Sequence, residues 1–154
     1  MNAFVLVILT AGILVAAQDS DRGGLPKSDL DKLRGTWLTV SLVNDGKTLV
    51  REKTAPKPGP VTNLVYDGNS WIIKVGDKTV ATGKFKIDAT KTPKEIDILD
   101  ESGVKNEKTK LGIYAIDGDT YQFCLAPAGK PRPTEFASKA GSGHSLGVSK
   151  REKP

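Results

Sequence analysis

Thr79-Val80-Ala81-Thr82-Gly83-Lys84-Phe85-Lys86-Ile87-Asp88 sends Ala81, Gly83, Phe85 and Ile87 to one side and Thr82, Lys84, Lys86 and Asp88 to the other. Successive side chains of a strand point to opposite faces, so this two-residue period marks a strand half-buried against a core. The neighbouring stretches repeat the pattern. Upstream, Thr62 to Tyr66 and Ser70 to Val75 flank the turn residues Asp67-Gly68-Asn69, with Trp71, Ile73 and Val75 on one face. Downstream, Ile96 and Ile98 mark a short strand and Lys108 to Ile116 a longer one. Asp117-Gly118-Asp119 then leads into Thr120 to Ala126, where Tyr121, Phe123 and Leu125 share a face. At the two ends of the series, Thr36 to Val43 alternates Leu38, Val40 and Leu42 with Trp37, Thr39 and Ser41, and Ser145 to Arg151 alternates Leu146 and Val148 with Gly147 and Ser149. The first of these closes on Asn44-Asp45-Gly46, a hairpin signal.

About eight strands joined mostly by tight turns predict an all-β fold, since parallel units would need helical crossovers. A small antiparallel up-and-down barrel suits that count, because closure removes exposed edges and eight strands leave room inside for side chains or one small ligand. A β-sandwich has the same periodicity and stands as the alternative. Pro56, Pro58 and Pro60 lack the donor a ladder needs, which makes residues 54–60 a loop or an edge. One short helix precedes the strands: Ser28 is placed to cap it, Asp31 occupies the capping-box position, Leu30 and Leu33 share a face and Gly35 stops it.

The 154 residues suit one core, expected over residues 28–151. The first seventeen carry no Asp, Glu, Lys or Arg, and the apolar run from Ala3 to Val15 is shorter than the about 20 residues a bilayer span needs. Ala16 and Ala17 precede a return to polarity at Gln18, the pattern of a cleaved signal peptide over residues 1–17. Residues 18–27, with Gly23, Gly24 and Pro26, read as a flexible leader. The expected product is exported, periplasmic or extracellular, and not embedded in a membrane. Its lone cysteine, Cys124, leaves packing rather than an internal disulfide to hold it. The net charge of +5, from 23 Lys and Arg against 18 Asp and Glu, is spread over many turns. Nucleic-acid surfaces cluster their basic residues among aromatics, so no nucleic-acid partner is expected, and attraction to anionic envelope polymers is the better consequence of the charge.

Two sets of residues carry a family resemblance. Leu33-Arg34-Gly35-Thr36-Trp37 is similar to the Gly-x-Trp entry of lipocalins, whose tryptophan closes the barrel floor. Gly83 to Asp88, Thr90 to Asp97, Gly112-Ile113-Tyr114, Asp117-Gly118-Asp119, Cys124 to Pro127 and Arg132 to Phe136 together resemble a family of uncharacterised, lipocalin-like domains abundant in planctomycete bacteria. The resemblance runs from about Asp29 to Lys150. It implies the barrel and bacterial export, and it supplies no substrate. It also implies that Lys150 or Arg151 covers Trp37. Unlike true lipocalins, the chain has no cysteine pair and no Thr-Asp-Tyr motif.

Few residues invite chemistry. His144 lies in the Gly-rich run Gly141-Ser142-Gly143-His144-Ser145 with no neighbouring acid or nucleophile, so it reads as a loop histidine. Cys124 falls opposite Tyr121, Phe123 and Leu125 with no adjacent cation to activate it, so it reads as packing. Asp97, Asp100, Glu101, Asp117 and Asp119 lack calcium-loop spacing and read as turn residues. Asp97 and Glu101 form a carboxylate pair only if the register brings them together. No cofactor and no metal is implied, and no enzyme is expected. Pro127 to Phe136 holds Lys130, Arg132 and Glu135 among three prolines, a stiff segment. It either presents Arg132 to an anionic partner or pairs Arg132 with Glu135 while Phe136 plugs the barrel.

The expected function is non-catalytic binding of a small, partly apolar ligand at the barrel interior or mouth, with Trp37, Trp71, Phe85, Tyr114, Phe123 and Arg132 as candidate site residues. The alternative is a cell-envelope interaction module, an inhibitor or adhesion domain, whose barrel is fully packed.

Overall fold

The computed structural model describes residues 28–50, 61–103 and 109–153. The expected signal peptide and leader, and Pro56, Pro58 and Pro60, lie outside these residues.

A five-residue helix, α1 (Asp29–Leu33), leads into nine strands: β1 (Gly35–Asn44), β2 (Lys47–Val50), β3 (Thr62–Asp67), β4 (Ser70–Val75), β5 (Lys78–Asp88), β6 (Lys94–Asp100), β7 (Lys110–Asp117), β8 (Thr120–Leu125) and β9 (Ser145–Arg151). β1 and β3 to β9 close an eight-stranded antiparallel barrel in which consecutive strands pair and β9 returns to β1. The strand absent from the expected eight is β2. Asp45 and Gly46 both take positive φ, 50° and 77°, as a two-residue type I′ hairpin requires, and they fold β2 back on Leu42 to Asn44 of β1. β1 therefore has β9 along one edge, and β3 then β2 along the other.

The quoted segment behaves as its period predicts: Phe85 is buried, Ala81 and Ile87 pack against the core, and Lys84 and Lys86 are exposed. Gly83 has a specific reason to be glycine. A Cβ there would stand 1.9 Å from the Leu99 carbonyl oxygen and 2.8 Å from the Trp71 ring. The bare backbone lets that indole lie across β5 and donate to the carbonyls of Lys84 at 3.1 Å and Leu99 at 3.2 Å.

Elsewhere the alternation breaks. In β1 the buried residues are Trp37 and Thr39, not Leu38 and Val40. A register shift against β9 between Thr39 and Ser41 changes the parity, and Leu42 returns to the interior. A bulge inserts one unpaired residue and so moves every later side chain to the other face. Between β4 and β5 the same device leaves Val80 of β5 without a partner, 48% exposed, while β4 keeps its regular alternation against β3. In β9 the buried residues are the small ones, Gly147 and Ser149. A Cβ on Gly147 would meet the Phe123 ring at 2.2 Å, so the aromatics of β8 take the volume that β9 gives up.

One end of the barrel is filled. Trp37, Tyr66, Trp71, Phe85, Ile96, Tyr114 and Tyr121 form its core with Leu33 of α1. Ring centroids of Tyr66 and Phe85 stand 4.9 Å apart edge-on, and those of Trp37 and Tyr121 stand 5.6 Å apart. Ser28 caps α1 as expected, accepting from the Asp31 amide at 3.2 Å and donating to its carboxylate at 2.6 Å. Leu30, however, is 47% exposed, and the residue that shares the buried side with Leu33 is Asp29. Its carboxylate accepts from Tyr114 at 2.9 Å and from Lys94 at 2.6 Å, so the helix docks through an ion pair as well as a leucine.

Candidate functional site

Above the aromatic floor the barrel interior is not filled. A cavity of about 150 Å³ remains, walled by Leu42, Leu64, Ile73, Ala81, Ile98 and Leu125, with the rings of Trp71 and Phe123 between them. Its floor is Tyr66 and Tyr121, whose hydroxyls share a hydrogen bond of 2.9 Å. Burial raises both phenols well above their ordinary pKa, so they remain neutral. Thr39 adds a hydroxyl, 3.4 Å from that of the fully buried Ser149. Asp100 and Lys110 also line the cavity. Burial works to raise the Asp100 carboxyl, but hydrogen bonds from the Ser102 hydroxyl and amide, and the Lys110 ammonium, outweigh it and hold the carboxyl below its usual range. The site is thus apolar in its walls, neutral and polar at its floor, and charged where Asp100 and Lys110 stand.

Of the six expected site residues, Trp71 and Phe123 line this cavity. Trp37, Phe85 and Tyr114 lie in the packed end instead. Arg132 lies on the outer wall. Its guanidinium donates to the carbonyls of Ile96 at 3.0 Å and Gly112 at 2.6 Å and to the Asp97 carboxylate at 2.7 Å, and its Nε stands 3.4 Å from Glu95. It does not pair with Glu135, which binds Lys139 at 2.8 Å, and Phe136 is a half-buried surface residue rather than a plug. Sequence reasoning overlooked the two tyrosines of the floor. The signal was present, because Tyr121 shares its face with Phe123 and Tyr66 shares its own with Leu64.

The segment between β8 and β9 lies against the outside of the barrel. Cys124 is completely buried there, its thiol donating to the Ala137 carbonyl at 3.3 Å, and burial raises its pKa. Ile113 on the neighbouring strand is covered as well. The His144 carbonyl accepts from the Asp45 amide at 2.9 Å and from the Ser138 hydroxyl at 2.6 Å, tying this segment to the β1–β2 hairpin. Asp97 is taken up by Arg132, and Glu101 is an exposed residue whose amide bonds to the Thr82 carbonyl.

Fold and site together define a closed eight-stranded antiparallel barrel with a mostly apolar internal cavity. Arg151 lies over Trp37, guanidinium carbon to ring centroid 4.1 Å, the placement that the lipocalin resemblance implies for one of the last strand's basic residues. No family model, curated protein or solved structure matches the chain. No helix among the described residues is long and apolar enough to cross a membrane.

Proposed function

We propose that this barrel is an exported, non-catalytic module that binds a small, partly apolar molecule in its interior. The observation carrying the proposal is the cavity of about 150 Å³ with hydrocarbon and aromatic walls. Size limits the guest. Pockets for drug-sized molecules run from about 300 Å³ upward, whereas an apolar cavity of about 150 Å³ holds a single ring such as benzene. A ring or a short acyl chain fits; a long fatty acid does not. Export rests on the uncharged apolar run of residues 1–17 and the small residues Ala16 and Ala17 before Gln18.

Titration of the protein with a single-ring apolar probe such as toluene, followed through the fluorescence of Trp71 and through thermal unfolding, tests the binding. Saturable quenching with a rise in unfolding temperature is expected. A flat titration, together with native mass spectrometry that finds no bound molecule, would remove the proposal. The mass of the secreted protein tests the export, with an N-terminus at Gln18 expected.

A further inference from the structure

Tyr66 and Tyr121 present an imbalance of hydrogen bonds. Each phenol has one proton to give, the two hydroxyls stand 2.9 Å apart, and one of them donates to the other. One O–H is left over. Tyr66 is 3% exposed and Tyr121 is 1% exposed, their rings meet edge-on at 5.6 Å, and no other hydrogen bond to either hydroxyl exists among the described residues. A buried donor left without an acceptor is rarer and costlier than a buried acceptor left without a donor. Both residues line the cavity, whose walls are mostly hydrocarbon and ring, with Thr39, Thr62, Asp100 and Lys110 also on the lining.

We propose that the pair is a recognition site, and that the guest is a neutral compound of about one ring carrying a hydrogen-bond acceptor, a ketone, ester or ether oxygen, which takes the spare phenolic proton. The inference rests on the cavity reading given above and adds the chemistry of the guest to it. Neutrality follows from the position of the pair. An ionised carboxylate against this uncharged floor would lose its hydration with only one donor in return, and Lys110 on the lining is already balanced by Asp100, whereas a carbonyl oxygen needs one donor. The donor is itself polarised, since a hydroxyl that accepts one hydrogen bond donates a stronger one. The raised pKa of both phenols keeps the proton in place at neutral pH.

Cyclohexanone and methylenecyclohexane test this, being equal in shape and differing in C=O against C=CH2. Their dissociation constants are measured by calorimetry for the protein and for the Y66F/Y121F variant. The ratio of the two constants should move about tenfold toward the hydrocarbon in the variant, the value of one hydrogen bond. If both probes bind and the ratio is the same in both proteins, the recognition site is refuted while the cavity reading stands. If neither probe binds the unaltered protein, both readings fall. Should the double variant not fold, the hydroxyl proton resonances of the unaltered protein decide. A downfield shift with cyclohexanone but not with methylenecyclohexane supports the site, and no difference between the probes overturns it.

Discussion

Arg151 shows how much one side chain can fasten. Its guanidinium stacks on Trp37 and donates to the Arg34 carbonyl at 3.0 Å and to the Lys32 carbonyl, while the Trp37 indole donates to Leu33 at 2.7 Å. Three carbonyls at the end of α1, which a short helix cannot satisfy internally, are thereby paired. Arg151→Ala should cost about 2 kcal/mol in urea unfolding, from the lost cation–π contact and charged hydrogen bonds. Arg151→Lys should recover less than half, because an ammonium cannot fork to two carbonyls while lying flat on a ring. Asp29 predicts a pH effect. Burial alone would raise its carboxyl, but hydrogen bonds from Lys94, Lys32 and Tyr114 prevail and hold it below the ordinary value. A depressed folded-state pKa means that the carboxylate's contribution is fully present above the unfolded value of about 3.9 and is lost as pH falls through the folded value. Asp29→Asn should therefore be the less stable protein at pH 6, with the gap to the unaltered protein narrowing as stability is followed down toward pH 3.

Among the elements, the segment from Ala126 to His144 carries the largest departure from expectation. Its three prolines made it look like a rigid mouth loop, yet Arg132 staples it to the carbonyls of β6 and β7 and to Asp97, over the outer faces of Ile113 and Cys124. That placement has a direct readout. Cys124 should react with a neutral thiol reagent only on local opening. Arg132→Ala should speed the labelling of folded protein at least tenfold, because losing a charged hydrogen-bond fork costs more than about 1.4 kcal/mol and each such step is tenfold in the open population. Unchanged labelling would mean that the prolines alone hold the segment down. The extents of β4 and β9 were legible residue for residue, since Asp67-Gly68-Asn69, Gly76-Asp77 and the Gly-rich run before Ser145 punctuate the chain locally. The strand β2 was announced by its hairpin signal but not by its own four residues, Lys47 to Val50, which are too few to show a period.

For the whole molecule, a barrel closed on itself with a filled end and an unfilled one makes opposite demands on stability and binding. Ala81 lines the cavity, and Ala81→Leu should occupy part of it. Filling a natural cavity commonly adds about 1 kcal/mol, so the variant is expected to resist urea better while binding a single-ring probe at least tenfold more weakly. Loss of stability with binding intact would place the void elsewhere. The chain alone determined that this protein is built of antiparallel strands with one short capped helix before them, because alternation and turn chemistry are written within ten residues. Tertiary structure alone decided which residues face inward after Val40, why β9 turns glycine and serine to the core, that the Arg132 guanidinium is held by β6 and β7 on the outer wall, and that two tyrosines share one hydrogen bond beneath a void. Those outcomes depend on partners far apart in the chain, such as Thr39 with Ser149 and Tyr66 with Tyr121. A bulge or a volume trade is settled between strands across the barrel, and no local period records it.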